Sequence, residues 1–273
     1  MDTSHSAGPH ANGPLPVGHL LRDWRRRRHL TQLELAELAD TSTRHVSFIE
    51  TGRSLPSRTM LMRLADRLDV PLRERNALMA SAGLAAVYRE RPLDDPAMAT
   101  VRTAVELVLA GHEPYPALAV DRHWHMVAAN RAIAPLLAGI APALLAPPVN
   151  VLRLSLHPDG LAPRIANLGQ WRAHILLRLR HQAAATGDPV LQSLHDEIAA
   201  YPHPDESIGD EPLASVVVPL QLRTPAGVLS FVSTTTVFGT PMDITVSELA
   251  IESFFPADAA TGAALRAMAE AGA

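Results

Sequence analysis

Between residues 19 and 83 apolar positions recur every three or four residues, in short runs separated by polar breaks, which is the period of short helices. Leu20, Leu21 and Trp24 share one side of HLLRDWRRRRH, with arginines around them. Thr31 precedes QLELAELA and Glu34 follows three residues on, a capping box that starts a second helix. Leu35, Leu38 and Ala39 form its inward stripe, and Ala36 is small where a neighbour would cross closely. Ser42 caps a third helix. Ser57 caps a fourth, with Met60, Leu61, Leu64 and Leu68 on one face, and a fifth restarts after Pro71 and ends at Gly83. Five short helices in about 65 residues predict a small all-α domain.

The pattern breaks at YRERPLDDP, residues 88–96, where charge, proline and turn residues mark a domain boundary. Beyond it AMATVRTAVELVLAG reads as a helix. PALAV and HMVAAN read as two short strands joined by a tight turn that Asp121 opens. Residues 161–185 predict one long amphipathic helix, broken by Gly-Asp-Pro at 187–189, and DPVLQSLHDEIAA makes another. After the loop YPHPDESIGDEP, the stretches ASVVVPLQL, GVLSFVSTTTVF and DITVSELAIESFF are rich in β-branched and aromatic residues and predict strands. ADAATGAALRAMAE closes as a helix. Strands that are mostly sequential, with helices inserted as a block, predict an α+β domain on an antiparallel sheet. The division is a disordered leader at 1–16, a helical domain at 17–87, a linker at 88–96 and the α+β domain at 97–273.

Charge divides the chain in the same place. Residues 1–91 hold 14 Arg against 10 Asp and Glu; the remainder holds 10 Arg against 18 acids, and the chain has no lysine. The basic first domain suits an acidic polymer and the acidic second does not. The absence of cysteine excludes disulfides and thiolate metal sites and suits a reducing cytosol. The first residues lack the basic and then apolar order of a signal peptide. The apolar run at 132–149 has the length of a membrane span, but Pro135, Pro142, Pro147 and Pro148 would break backbone bonds that lipid cannot replace. No membrane role is expected.

The chemistry concentrates in DTSTRHVSFIETG, residues 40–52. On a helical wheel Val46, Ile49 and Glu50 lie to one side, and Arg44, Ser47, Phe48 and Thr51 to the other. With the helix before it and the link Ala39-Asp40-Thr41, this is the plan of a helix-turn-helix, whose second helix enters the major groove of duplex DNA. Arg44 can form a bidentate contact to guanine, Thr43 and Ser47 can serve bases or phosphates, and Phe48 can lie against a thymine methyl. The competing readings are that Arg44 touches only phosphate and that Phe48 packs on protein. Arg53, Ser54, Ser57 and Arg58 follow where backbone phosphates usually lie.

The stretch from Leu20 to about Pro71 resembles the XRE family of repressors and their phage, lambda-repressor-like relatives. Thr31-Gln32, Ala36, Ser42-Thr-Arg, Val46, Ile49 and Glu50-Thr-Gly-Arg-Ser-Leu-Pro-Ser carry the likeness. It implies that Gln32 bonds a phosphate, that Ser42 lies on the DNA-binding face and that Arg25 pairs with Glu50, locking the first helix to the third. Arg26, Arg27 and Arg28 are left as general attraction. The family's turn usually has glycine where this chain has Asp40, a residue that tolerates positive φ. The motifs STRHVSFIETGRS, VPLRERNALMASAG, EPYPALAVDRHWHMVAANRA, LHPDGLAPRIANLGQWRAHIL and TTTVFGTPMDITVSELAIESFFPAD resemble one subfamily, XRE regulators with a C-terminal MmyB-type ligand-binding domain. This resemblance implies a cytoplasmic, homodimeric transcriptional regulator. Its second domain would be PAS-like, an antiparallel sheet with helices over one face and a cavity between, and its effector a small apolar molecule such as a fatty acid.

The residues are compatible with such a cavity. In the predicted 161–185 helix an apolar stripe of Ile165, Leu168, Ile175, Leu176 and Leu179 is interrupted by Asn167, Gln170, Trp171 and His174, which become candidate ligand contacts. Trp171 and His174 fit equally as core residues bonded to backbone. Three rivals remain. An enzyme would use His157-Pro158-Asp159-Gly160, which reads better as a turn with His157 bonding locally, and no serine elbow, P-loop or GxGxxG is present. A metal site would use His123 and His125, which share a strand face across Trp124 but lack an evident third ligand. A scaffold would use the second domain only to dimerise. No catalytic residue, metal or cofactor is assigned.

Overall fold

A computed structural model describes residues 16–202 and 217–271. The expected leader lies outside the described residues except for Pro16, as does most of the loop after Tyr201. The chain forms two compact units that meet in sequence at Arg89 and Glu90.

The first unit has five helices: α1 (Val17–Arg27), α2 (Gln32–Leu38), α3 (Thr43–Glu50), α4 (Arg58–Arg67) and α5 (Leu72–Ser81). The caps form as the local rules demand. Thr31 and Glu34 close the capping box, Ser42 Oγ accepts from the His45 N–H, and Ser57 Oγ accepts from the Met60 N–H. Leu21, Trp24, Leu35, Val46, Ile49, Leu61 and Leu64 fill the core. Leu38 does not join them and is 47% exposed. The inward stripe of α2 is instead Leu35, Ala36 and Ala39. Its centre is set by the two alanines that allow close crossing, and Leu38 falls about a quarter-turn outside it.

Two backbone features hold α3 in place. Asp40 takes φ 50°, the left-handed conformation that the turn requires. Gly18, buried in the first turn of α1, sits where a methyl group would meet the carbonyls of Ile49 and Glu50. The arginines serve as helix clamps. Arg63 donates to the carbonyls of Ala39 and Asp40 at 3.2 and 3.4 Å. Arg28 donates to those of Leu68 and Asp69 at 2.8 and 2.9 Å, a structural role rather than the general attraction expected. Near its end the unit is pinned by Asn76, whose side chain bonds Val87 and Tyr88.

The second unit is built on a five-stranded antiparallel sheet in the order β2-β1-β5-β4-β3. The strands are β1 (Ala117–Val120), β2 (Met126–Ala129), β3 (Leu220–Thr224), β4 (Gly227–Val237) and β5 (Ala250–Pro256). Its helices are α6 (Ala99–Gly111), α7 (Val151–Leu156), α8 (Leu168–Thr186), α9 (Pro189–Ala199), the single turn α10 (Ile244–Ser247) and α11 (Ala259–Ala271). One sheet face, with Leu118, Val120, Leu222, Leu229 and Phe231, packs with α7, α8 and α9 in the main core. On the other face Ala117, Ala119 and Ile251 pack with Val105 and Leu109 of α6, so helices cover parts of both faces rather than one.

Two expectations change. The predicted 161–185 helix starts only at Leu168: Ala162–Arg164 is a 3-10 turn, and Ile165 bridges to Leu222 while the Ala166 N–H donates to the Gln221 carbonyl. Pairing with β3 outweighs the helical pattern there. The start of the predicted third strand is the helical turn α10, because Asp243 caps it by accepting from the Thr245 N–H. The apolar run at 132–149 forms two 3-10 turns, Ala134–Leu137 and Pro142–Leu145, each with proline in its first turn. Among the described residues no helix is long and apolar enough to cross a membrane. Within the stretch read as a linker, Arg91 pairs with Asp243 at 2.9 Å, and its carbonyl accepts from the Thr245 hydroxyl.

Candidate nucleic-acid interface and ligand cavity

The third helix is short, so its position depends on what grips it. Val46 and Ile49 bury its apolar side, and Glu50, 1% exposed, is gripped by charge. Arg25 donates from Nε to Oε1 at 2.6 Å and from Nη2 to Oε2 at 2.9 Å, which is the bidentate fork expected for this pair. Arg25 also donates to the Leu30 carbonyl, and Arg22 donates to the Glu50 carbonyl at the end of α3. Burial opposes ionisation of Glu50, but bonds from Arg25 and Gln32 and the charges of Arg25 and Arg22 outweigh it. The carboxyl is held below the usual range.

Gln32 contributes to this grip. Its Nε2 donates to Glu50 Oε2 at 2.8 Å, so the side chain read as a phosphate contact is turned to the core of the motif. The outward face carries Arg44, exposed, with Thr43, Ser47 and Phe48 partly covered. The Phe48 ring lies close to two guanidinium groups, Arg44 at 5.0 Å and Arg53 at 5.8 Å from its centroid. Phe48 therefore packs against two cations on the outward side of the motif. Ser42 and Ser57 act as caps and keep their hydroxyl protons for another acceptor. Arg58 donates to the Ala85 carbonyl. Sequence reading missed Gly18, Arg22, Arg28 and Arg63 as supports of this face. The signal available for Gly18 was a glycine within an amphipathic helix; the arginines gave none, since their partners are carbonyls distant in sequence.

In the second unit a cavity of about 100 Å³ lies between the sheet and α7 and α8. Its wall includes Leu118, Trp124, Leu152, Ile175 and Phe231. Trp171 faces it, with Nε1 donating to Ser155 Oγ at 3.0 Å. The other three candidates of this helix do not line it. Asn167 ties α8 to β3 through the Pro219 carbonyl and the Gln221 N–H, Gln170 is exposed, and His174 stacks on Trp171. Burial and the charge of Arg178 lower the His174 pKa. The wall's charged residues are Arg178 and Glu252, joined at 2.6 and 3.2 Å. They went unnoticed in the sequence because α8 and β5 are far apart along the chain.

The histidines considered for catalysis or metal binding are engaged otherwise. His157 Nδ1 accepts from the Asp159 N–H at 3.0 Å, the local turn that was expected. His123 and His125 do not share a strand. They lie in the turn between β1 and β2, where Trp124 has φ 68°, and face Asp188 at 2.9 Å and Asp121 at 3.0 Å. Among the described residues no group of three or more His, Asp or Glu could hold a metal ion.

A helix-turn-helix unit followed by an antiparallel sheet enclosing a cavity defines a DNA-binding transcription regulator with a ligand-binding domain. Comparison with known families agrees. The model of the MmyB-like transcription regulator ligand binding domain matches residues 101–268, and a helix-turn-helix model matches residues 21–75. The ImmF control region 10 kDa protein of Bacillus phage phi105 is 39% identical over 56 residues, which are 20% of this chain and 62% of that protein. The chain belongs to the MmyB-like regulator family.

Proposed function

We propose that the chain acts in the cytoplasm as a homodimer whose two helix-turn-helix units read a pseudo-palindromic operator, with half-sites about one helical turn apart. The observation that carries this reading is the outward face of α3 and the loop after it, where the guanidinium groups of Arg44 and Arg53 lie 5.0 and 5.8 Å from the centroid of the Phe48 ring. Arg44, with Thr43 and Ser47, reaches base edges; Ser42, Arg53, Ser57 and Arg58 take phosphates, and Gln32 retains one amide proton for the same use. Phe48 gives both arginines a ring to pack on.

The test is selection from a random duplex library, followed by titration of the winning site and its single-base variants. Arg44→Ala is expected to weaken the best site by about 1–3 kcal/mol and to flatten the preference at one or two positions. Arg53→Ala should weaken all sequences alike and lower the salt slope by about one. An unchanged preference profile in Arg44→Ala would remove it as a reader.

The second unit supplies the response. We take its effector to be small and apolar, because the cavity wall is almost wholly hydrocarbon. A fatty acid belongs to that class, but its chain would have to part α7 from α8, since ligand sites usually measure about 300–1,000 Å³. Any effector must bind one arrangement of the dimer better than the other. The cavity favours this reading over a second domain that only dimerises.

A further inference from the structure

We propose that the cavity takes a small uncharged molecule, apolar apart from one hydroxyl or carbonyl oxygen, and that it rejects carboxylates of the same size. The proposal deepens the effector reading above and rests on it.

Size restricts the occupant first. A cavity of about 100 Å³ is of the same order as the engineered apolar cavity of about 150 Å³ that holds one benzene, so the fitting molecule is about the size of one small ring or short chain. Charge restricts it further. Arg178 is the cation of the wall, and it is already engaged. Its Nη1 and Nη2 donate to Glu252, and Nη2 also donates to Thr235 Oγ1 at 2.8 Å. Thr235 Oγ1 donates in turn to Glu252 Oε1 at 2.9 Å. The guanidinium lies 4.4 Å from the centroid of the Trp124 ring, with its side chain 24% exposed and that of Glu252 5%. A ligand carboxylate would have to leave water, approach Glu252 and compete for an arginine that is already paired. Breaking such a pair leaves one buried charge uncompensated, so the wall resists the exchange.

Hydrogen bonding selects the remaining polar group. Ser233 lies two residues along β4 from both Phe231 and Thr235, on the same sheet face, and lines the cavity. Ser155 Oγ already accepts from Trp171 and has its proton left to offer, whereas the Ser233 hydroxyl has no hydrogen-bond partner among the described residues. It offers one donor and one acceptor beside the closed ion pair, which matches a single neutral oxygen.

The test uses the full chain and three probes: cyclopentanol, butyrate of nearly equal size, and decanoate. Binding is read from the fluorescence of Trp124 and Trp171, which line the cavity. Cyclopentanol is expected to saturate with a dissociation constant at least tenfold below that of butyrate. Ser233→Ala should raise the cyclopentanol constant several-fold, and no change would overturn the assigned anchor. Glu252→Gln, which frees the charge of Arg178, should narrow the gap to butyrate; if that variant does not fold, the wild-type pair decides alone. Butyrate or decanoate binding as tightly as cyclopentanol overturns the neutral-ligand proposal and leaves the effector reading standing. No response to any of the three probes overturns both.

Discussion

Glu50→Ala is expected to destabilise the helix-turn-helix unit by about 3–5 kcal/mol and to abolish operator binding, because it strips a buried ion pair of one partner. Glu50 accepts two bonds from Arg25 and one from Gln32, and Arg22 lies 3.7 Å away. Without the carboxylate, Arg25 keeps only its bond to Leu30 and remains an 11% exposed cation with no counter-charge. A domain of this size is only marginally stable, so a loss of that size is a large fraction of what it has. Glu50→Gln should fall between, since one oxygen can still accept while the new amide protons face donors. Acid should act in the same direction. The folded pKa of Glu50 lies below its unfolded value, so the stabilisation is complete above the unfolded value of about 4.3 and is lost as pH falls through the folded one. Hydrogen exchange of peptides within residues 17–84 would measure both effects. Wild-type protection should decline below about pH 4, and Glu50→Ala should show a smaller decline, because Glu34 is also held below the usual range by its bonds to Thr31. A loss below about 1 kcal/mol in Glu50→Ala would mean that the apolar contacts of Val46 and Ile49 hold α3 unaided.

The pattern of what could be read from sequence follows the range of the interactions. The caps at Thr31, Ser42 and Ser57 and the left-handed Asp40 are settled within four residues, and local rules find them. The Arg25–Glu50 pair is long-range and came from the family resemblance, not from spacing. Where tertiary pairing competes with local pattern, the local reading fails: Ile165 looks helical but bridges to β3, and Leu38 looks buried but yields to Ala36 and Ala39. The cavity was legible only at Trp171 and Ile175 of α8, because the rest of its wall is assembled from strands and helices that meet only on folding. Gln32 shows a further limit. The resemblance gives a role in the bound complex, whereas in the free chain that side chain supports Glu50.

Gly18→Ala carries the other large effect. A methyl group there would overlap the Ile49 carbonyl oxygen and lie 2.9 Å from the Glu50 oxygen and 3.0 Å from its carbonyl carbon. Every one of these neighbours is backbone, so no side-chain rotation can relieve the contact. Alanine favours the helix by up to about 1 kcal/mol over glycine, and overpacking costs about 1–3 kcal/mol or more, so the clash decides the sign. The relief available is for α1 to move away from the end of α3. That motion opposes the Arg25 fork, because Arg25 rides on α1 and Glu50 on α3. The strain therefore reaches the same contact that Glu50→Ala removes, and the two substitutions should be less than additive. The exposed neighbour His19 makes the control, and His19→Ala should leave both stability and binding within experimental error. Chemical denaturation and operator titration of Gly18→Ala should show stability lowered by about 1–3 kcal/mol and affinity lowered at least tenfold. A Gly18→Ala protein within about 0.5 kcal/mol of wild type, with normal affinity, would show that α1 and α3 can separate without cost to the reading helix.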